Sequence, residues 1–399
     1  MRKKKNSIAR RAGRWAVLSG LVLGVAIPSL MGGVANADTV FPTAVLGSGS
    51  DVMFHVASAL DLLYNESPGC TLIDPNPADQ KYDLSCDPQP GDITTENYAH
   101  DRISEAAPIG GSAGVTQLCE QGLAGIANID YARTTSGPPK PPTPPPCTGL
   151  KYVAYARDAI TWEAFPSGKK SPAVGMNNQS GACAGSSGFC LTQQQLQGIY
   201  VNCTITNWNQ IGGSKSAPIQ AYTILSQFGT RSAFDKFLGG SSSSCGATTI
   251  DQTDNAAIPA KSKPFAIAPV SVGSWTERYG SAKQTSKLGE IDGVAPSATT
   301  ITSGAFPYVR FLYNVYCVGV GSPAVCGTST PPASQATVNY IGEEGWICTA
   351  NTHADDPITG VDYRTEIANT ISQYGFVPLP VGPIGGGDLN SDYCRLFTT

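Results

Sequence analysis

The chain has 399 residues, 41% of them hydrophobic and 14% charged, with a formal net charge of −4 at neutral pH. Its length predicts about two domains. The acidic balance argues against nucleic acid and anionic lipid surfaces as partners, because both repel an excess of negative charge. A small anion stays possible as a ligand, since it responds to the charges of its own site.

The first 37 residues have the pattern of a secretory signal peptide. A basic segment without acidic residues, MRKKKNSIARRAGR, precedes an apolar run and the small residues ANA at 35–37. A transmembrane anchor is the alternative, which Pro28 and the glycines of the run disfavour. Removal of residues 1–37 leaves 19 Lys and Arg against 30 acids, a net charge near −11. We expect a secreted, extracellular or cell-surface protein without a lipid anchor, because no cysteine lies near the cleavage point.

All twelve cysteines follow this leader, and an even number in a secreted chain predicts disulfide bonds. A metal site is the competing interpretation, but none of the three histidines flanks a close cysteine pair. Closure between near neighbours favours four bonds: Cys70–Cys86, Cys119–Cys147, Cys183–Cys190 and Cys203–Cys245. The pairing of the last four cysteines stays open.

Strand-like and helix-like segments alternate along the chain. Strands are predicted at 39–46, 125–131, 150–162, 219–225, 265–272 and 308–320. Helices are predicted at 52–64, 191–200, 230–238, 334–347 and 365–374, and another follows the glycines of PIGGSAGVTQL at 108–118. This alternation, with glycines at strand-to-helix turns, is typical of α/β architecture.

Two segments interrupt the alternation. Residues 65–102 are polar, rich in Pro and Asp, and contain two cysteines, which predicts a surface insertion. Residues 138–147, PPKPPTPPPC, form a proline-rich segment. This segment is either a spacer between independent domains or an insertion looped out between Cys119 and Cys147, and we favour the insertion.

Several segments resemble the substrate-binding proteins of phosphate ABC transporters. The most specific are LTQQQLQGIYVNCTITNWNQIGG, APIQAYTILSQFGTRSAFDKFLG and IDGVAPSATTITSGAFPYVRFLYNVY; GSGSD and IGGSAGVTQL precede them in the same order. The resemblance runs from about Leu46 to Val320. It implies an α/β fold of the two-lobe type II periplasmic-binding-protein kind, with a ligand cleft between the lobes.

The resemblance also implies where the chain crosses between the lobes. The first crossing would be near 152–158 and the return near 308–313. Lobe one would then comprise residues 38–151 plus 304–399, and lobe two residues 152–303.

The family holds a dehydrated oxyanion with helix N-termini, hydroxyls and one carboxylate that accepts a proton from the ligand. The unpaired N–H groups and partial positive charge of a helix N-terminus suit an anion. Carried over to this chain, the ligand-binding residues would be Ser50, Asp51, Gly111, Ser112, Asp130, Gly229, Thr230 and Arg231. Asp130 would accept the proton, which separates phosphate from fully deprotonated sulfate.

Three positions depart from the family pattern. Asp51 replaces a threonine of the first loop, Phe228 replaces the serine before Gly-Thr, and Ile224 lies near the place of an arginine. Asp51 is either a ligand residue or a helix N-cap that points away from the cleft. The cations nearest to the loops are Arg133 and Arg231, and either could compensate for the missing arginine.

Catalysis is not expected, because the chain offers no histidine beside a positioned serine and no free thiol. Neither a Walker-type phosphate loop nor a calcium loop is present, so no cofactor is expected. Two functions remain. One is a monomeric solute-binding protein that captures inorganic phosphate, or another small anion, for an ABC permease. The other is a binding module of the same fold with a changed ligand or no transport role.

Overall fold

A computed structural model describes most of the chain after residue 43. The described residues are 44–67, 102–121, 123, 125–126, 128–139, 146–166, 171–173, 181–186, 189–252, 257–279, 286–327, 329–343, 345–348, 360–379 and 394–398. The expected signal peptide, most of the 65–102 insertion and the Cys70–Cys86 bond lie outside them. Within these ranges, no helix combines the length and apolar character needed to cross a membrane.

Strands and helices alternate along most of the chain. The strands are β1 (Ala44–Gly49), β2 (Arg102–Glu105), β3 (Tyr131–Thr134), β4 (Leu150–Ala164), β5 (Cys190–Leu191), β6 (Gln220–Ile224), β7 (Thr248–Ile250), β8 (Ala266–Ser271), β9 (Lys287–Leu288), β10 (Glu290–Ile291), β11 (Val309–Cys317), β12 (Val377–Pro378) and β13 (Arg395–Thr398). The helices are α1 (Asp51–Glu66), α2 (Gly111–Cys119), α3 (Gln193–Tyr200), α4 (Gly229–Leu238), α5 (Val272–Tyr279), α6 (Ala298–Thr302), α7 (Gln335–Ile341) and α8 (Tyr363–Gln373).

Each lobe is built on three parallel strands. In the first lobe β1 lies between β2 and β3, and in the second lobe β6 lies between β7 and β8. The long strand β4 joins the two halves. Its residues 150–159 pair with β11, and its residues 160–164 pair with β8, both antiparallel. The mixed α/β architecture expected from the sequence is therefore confirmed.

Separate apolar cores stabilise the two halves. In the first, the buried rings of Tyr340 and Trp346 pack with Tyr64 beneath α1. In the second, Trp208 and Phe234 are buried among the residues of α3, α4 and β8. The indole N–H of Trp208, in the ITNW segment, donates to the carbonyl of Phe265 at 3.1 Å, so this residue has a structural role in the core.

Ten cysteines lie within the described residues, and all are paired. Three of the expected bonds form: Cys119–Cys147, Cys183–Cys190 and Cys203–Cys245. The cysteines left open by the sequence form Cys317–Cys326 and Cys348–Cys394. The Cys119–Cys147 bond closes the loop that contains the proline-rich segment.

One predicted strand is misplaced. The sequence predicts a strand at 125–131, but β3 begins only at Tyr131 and ends at Thr134. Its residues include Arg133, which is fully buried. Because an arginine is usually exposed, the sequence of this core strand is easily taken for a polar loop. Because the strand begins and ends later than predicted, the residues near β3 lie at other positions relative to the ends of the sheet than the sequence suggested.

Candidate functional site

The cleft lies at the carboxyl ends of the parallel strands, where open α/β sheets bind ligands. In the first lobe β1 leads into α1, and β3 ends beside Thr135. In the second lobe β6 leads towards α4 and β8 leads into α5. The strand ends of both lobes thus direct short loops and helix N-termini towards the same region.

A buried ion pair joins the two crossing strands at this point. Arg310 of β11 and Asp158 of β4 are direct cross-strand partners. The Nε and Nη2 atoms of Arg310 lie 2.9 and 2.8 Å from Oδ2 of Asp158. The other carboxylate oxygen accepts from the Ser271 hydroxyl at 3.0 Å and the Gly273 N–H at 3.3 Å. Asp158 is fully buried, so this pairing compensates for the desolvation of its charge.

The remaining donors of Arg310 reach hydroxyls from both lobes. Its Nη1 donates to Oγ1 of Thr135 at 3.1 Å, and its Nη2 donates to Oγ1 of Thr230 at 3.2 Å. A guanidinium has five N–H groups, so one N–H of Nη1 has no partner among the described residues. Both threonine hydroxyls accept a hydrogen bond from a cation. Their own O–H groups therefore stay available for donation and become stronger donors. The cluster therefore presents donors suited to an oxyanion.

Three helix N-termini at the cleft lack a side-chain cap. The N-caps of α1, α2 and α4 are Ser50, Gly110 and Phe228, and none forms a side-chain hydrogen bond to its helix. In contrast, α3, α6, α7 and α8 are each capped by a side chain: Thr192, Ser297, Ser334 and Asp362. Since capping satisfies N–H groups that an anion would use, the uncapped helices are the ones free to bind it.

Glycines allow these elements to approach each other. A Cβ on Gly229 at the start of α4 would clash with Oγ1 of Thr135, and one on Gly111 at the start of α2 would stand 2.8 Å from Oγ1 of Thr134. A Cβ on Gly110 would lie 3.2 Å from the carbonyl oxygen of Gln227. The lobes are therefore in contact along the N-termini of α2 and α4.

The structure places four of the predicted residues at this junction. Gly111, Gly229 and Thr230 lie at the starts of α2 and α4 beside the threonines of the first lobe. Ser50 is buried at the start of α1, where its N–H donates to the carbonyl of Arg133 at 2.9 Å. Ser112 is also in the first turn of α2, but its side chain is exposed.

Asp51 is the first residue of α1 rather than its N-cap, and it is half-buried. Burial raises the pKa of its carboxyl, and the charge of Asp251 raises it further, whereas Arg133 and a backbone hydrogen bond oppose the shift. The carboxyl lines a cavity between the lobes together with residues of α5. Asp51 is thus the first residue of the helix and also borders the cleft. Each of the two interpretations, helix start and ligand-site residue, therefore agrees with the structure in part.

Asp130 is not where the resemblance implies. Its carboxylate accepts from the N–H of Leu46 at 2.8 Å, at the amino end of β3. Thr135 lies at the other end of that strand, about 16 Å away at 3.3 Å per residue. The geometry therefore argues against Asp130 as the proton acceptor for a ligand at the Arg310 cluster, and the misplaced strand accounts for the difference. The position at the cleft end of β3 belongs to Thr135.

An Asp130→Asn variant should accordingly leave ligand binding within about twofold of the unchanged protein. Asparagine keeps an oxygen acceptor for the Leu46 N–H, so we expect a stability loss of no more than about 1 kcal/mol. Calorimetric titration with phosphate and denaturant unfolding measure the two quantities. A tenfold or larger loss of affinity in a normally folded variant would restore Asp130 to the site.

The two cations suggested by the sequence are engaged elsewhere. Arg231 donates to Asp235 at 2.7 Å and to the Ile224 carbonyl at 3.0 Å, and its Nη2 contacts two serines after α4. Arg133 is fully buried, forms an ion pair with Glu105 and lies over the ring of Phe54. Neither guanidinium joins the Arg310 cluster, and these contacts argue against the expected ligand role of Arg231.

Phe228 and Ile224, two of the positions that depart from the family pattern, are packing residues. Both are buried in one apolar cluster with Tyr222, Ile250 and Ile258. Phe228 therefore stabilises the loop before α4 through its side chain, while the backbone of that loop faces the cleft.

Sequence reasoning missed Arg310, Asp158 and Thr135 as a group. The signal was present as charged residues inside largely apolar crossing strands: Arg157 and Asp158 in ARDAITW, and Arg310 in YVRFLYNVY. A charge in a strand that is otherwise apolar needs a partner, and each crossing strand supplied one. Their pairing is visible only once β4 and β11 are placed in register.

Comparison with known proteins agrees with this architecture. A PBP superfamily domain matches residues 146–328. The chain is similar to a structure described as that of a phosphate ABC transporter substrate-binding protein with bound phosphate from Clostridium perfringens, with TM-score 0.52 and 18% identity over 85% of this chain and 100% of that one. It is also similar to a DING protein, with TM-score 0.50 and 14% identity over 84% and 91% of the two chains.

A third structure, an ABC-type phosphate transport receptor from Vibrio cholerae, matches with TM-score 0.47 and 16% identity over 84% of this chain and 100% of that one. No curated protein matches the chain in sequence. Identities at this level establish the fold and leave the ligand to the chemistry of the site. Residues 146–328 therefore match a PBP superfamily domain, and the chain has the two-lobed type II periplasmic-binding-protein fold, in resemblance to the substrate-binding proteins of phosphate ABC transporters.

Proposed function

We propose that the chain is a secreted solute-binding protein that captures a phosphate-type oxyanion between its lobes and delivers it to an ABC permease. Inorganic phosphate is the simplest such ligand. The observation that carries the proposal is Arg310, whose guanidinium is fixed by Asp158 and contacts hydroxyls of both lobes. Only an arrangement that spans the cleft can couple ligand capture to lobe closure.

The electrostatics of the site favour an anion, although the site itself has no excess of positive charge. The charge of Arg310 is balanced by Asp158, so a ligand would meet polarised hydroxyls and the helix N-termini of α2 and α4. These donors replace the hydration shell of the anion with fixed dipoles. Such a site binds and releases its ligand reversibly, as delivery to a permease requires.

The amended position of Asp130 changes the expected selectivity. A carboxylate that accepts a proton would discriminate against sulfate, but the cleft end of β3 carries the hydroxyl of Thr135. Asp158 cannot take this role in the present arrangement, because both its carboxylate oxygens already accept hydrogen bonds from protein groups. We therefore expect weaker discrimination between phosphate and sulfate than the resemblance implies.

Calorimetric titration of the oxidised protein with inorganic phosphate, and with sulfate as a comparison, tests the proposal directly. Micromolar or tighter phosphate binding, with sulfate competing, is the expected result. The absence of heat and of competition with both anions would reject phosphate capture and support the second candidate, a module of this fold with a changed ligand.

A Gly229→Ala variant tests whether lobe closure belongs to binding. Its new Cβ would clash with Oγ1 of Thr135, so the lobes cannot meet as they do here. We expect a larger radius of gyration in small-angle X-ray scattering and at least a tenfold loss of phosphate affinity.

The clash has a specific remedy. Adding Thr135→Ala to Gly229→Ala removes the obstructing hydroxyl and should restore the scattering profile, although affinity stays low because a donor is lost. Ser372→Ala, at an exposed position of α8, is the control. An unchanged affinity in Gly229→Ala would place the ligand away from this junction.

A further inference from the structure

A cavity of about 180 Å³ lies between the lobes beside the proposed anion site. It is bordered by α1 and the loop before α2 on one side and by the end of β7 and α5 on the other. Its lining residues are Asp51, Val52, Phe54, His55, Pro108, Gln252, Ser274, Glu277 and Arg278. None of the interactions described for Arg310 uses these side chains.

The cavity shares part of its lining with a smaller gap beside the anion site. This gap, of about 10 Å³, is bordered by Thr230 and also by Gln252, Ser274 and Arg278, which line the larger cavity too. The small gap holds about one water molecule. The larger cavity exceeds the roughly 150 Å³ that accommodate benzene in a protein interior. A phosphate held at Thr230 would therefore leave room for an organic substituent.

Gln252 determines which chemical group the larger cavity prefers. Its side chain is 5% exposed, and its Oε1 atom is buried without a hydrogen-bond partner among the residues that the structure describes. A buried carbonyl oxygen without a donor is costly and is rarely left so in a folded protein. Because Gln252 lines both cavities, its oxygen is placed to accept a hydrogen bond from a ligand group.

The charged groups around the cavity also favour a ligand that donates hydrogen bonds. Asp51 and Glu277 face it from opposite lobes, and burial raises the pKa of both carboxyls. Arg278 forms an ion pair with Glu163 at 3.2 Å, and its charge, with that of His55, opposes the rise in the pKa of Glu277. His55 lies 3.0 Å from Glu277 and is the other basic group of the lining. Two desolvated carboxyls and an unsatisfied amide oxygen favour a cationic donor.

We propose that the ligand is a short aminoalkyl phosphate or phosphonate, whose ammonium group binds Gln252, Asp51 and Glu277 while its oxyanion binds at Arg310. A primary ammonium offers three N–H donors, one for each of these acceptors. This inference rests on the proposed function, since it adds a second recognition point to the same anion site.

The test compares three probes by calorimetric titration of the full oxidised protein: inorganic phosphate, ethyl phosphate and 2-aminoethyl phosphate. Ethyl phosphate has the same alkyl length but no ammonium. We expect 2-aminoethyl phosphate to bind at least about tenfold more tightly than ethyl phosphate, the gain typical of a hydrogen-bonded charged group. Equal affinities of these two probes would overturn the inference while phosphate binding kept the proposed function intact.

Two variants at one position sharpen the result. Gln252→Leu removes the acceptor and should abolish the preference for the amine, whereas Gln252→Glu adds a charge and should increase it. Gln373→Glu, at an exposed position of α8, is the matched control and should leave the preference unchanged.

Each remaining outcome is informative. Preference retained in Gln252→Leu, with the near-ultraviolet circular dichroism of the unchanged protein, would overturn the role of this side chain. No binding of any probe would instead reject the anion site itself, and the inference with it. Binding of 2-aminoethyl phosphate alone would support the inference and show that the ammonium is required.

Discussion

Replacing Arg310 with methionine should remove oxyanion binding and also destabilise the fold. Truncating one partner of a buried hydrogen-bonded charge pair costs about 2 kcal/mol or more in affinity, which is at least about 30-fold. Asp158, fully buried, would be left without its cation, and breaking such a pair costs about 3–5 kcal/mol of folding stability. Titration with phosphate and denaturant unfolding measure the two losses.

A second variant separates these effects. In the double variant Arg310→Met with Asp158→Asn, the buried charge is absent, and the asparagine still has an oxygen for the Ser271 hydroxyl and the Gly273 N–H. We expect most of the lost stability to return while phosphate affinity stays low. Recovery of affinity together with stability would show that Arg310 acts only as a structural partner of Asp158.

The matched control is a second arginine near the cleft. Arg231→Met removes a guanidinium that contacts Asp235 and the Ile224 carbonyl inside lobe two. It should change phosphate affinity by less than about threefold, because none of those contacts faces the other lobe. A large loss in this variant, in a folded protein, would return Arg231 to the site as the resemblance had suggested.

The contrast between these two arginines shows how far the sequence reaches. Arg231 follows Gly-Thr in a segment whose pattern predicts α4 within one residue, so its place in the chain is readable. Its partners in the loop after α4 are not, and they turn the side chain away from the cleft. Arg310 is separated from Asp158 by 152 positions, and only the register of β4 against β11 brings them together.

The end of β3 shows the opposite failure. The apolar residues of GIANIDY suggest a strand that ends near Asp130, whereas the strand formed is YART. A buried arginine in that strand is stabilised by Glu105 on β2 and by the ring of Phe54, neither adjacent in sequence. Periodicity treats Arg133 as exposed. The strand therefore ends at Thr134 and not at the predicted Tyr131, which brings Thr135 instead of Asp130 to the cleft.

The same buried arginine belongs to a cluster beneath α1 that has two carboxyls for one guanidinium. Asp61 is 4% exposed and accepts from the Tyr340 hydroxyl at 2.8 Å, and the Tyr131 hydroxyl donates to Glu105 at 2.7 Å. Arg133 pairs with Glu105, not with Asp61. Burial, together with the charge of Glu105, therefore raises the pKa of Asp61 to about 8.

This shift predicts a protein that loses stability as the pH rises. The pKa of an aspartate in an unfolded chain is about 3.9. Between that value and about 8 the folded protein holds a proton on Asp61 that the unfolded chain has released. The free energy of unfolding should thus fall by up to about 1.4 kcal/mol per pH unit across this window through Asp61, and no further above it.

An Asp61→Asn variant should remove that dependence while keeping an acceptor for the Tyr340 hydroxyl. We expect it to match the unchanged protein near pH 5 and to exceed it by about 2 kcal/mol or more at pH 8, because asparagine carries no charge to bury. Urea unfolding at pH 5, 6, 7 and 8 measures the difference, with Glu120→Gln at the exposed end of α2 as the control for loss of a carboxylate. Parallel stability curves for Asp61→Asn and the unchanged protein would mean that Asp61 is ionised in the fold and that Arg133 neutralises both carboxylates.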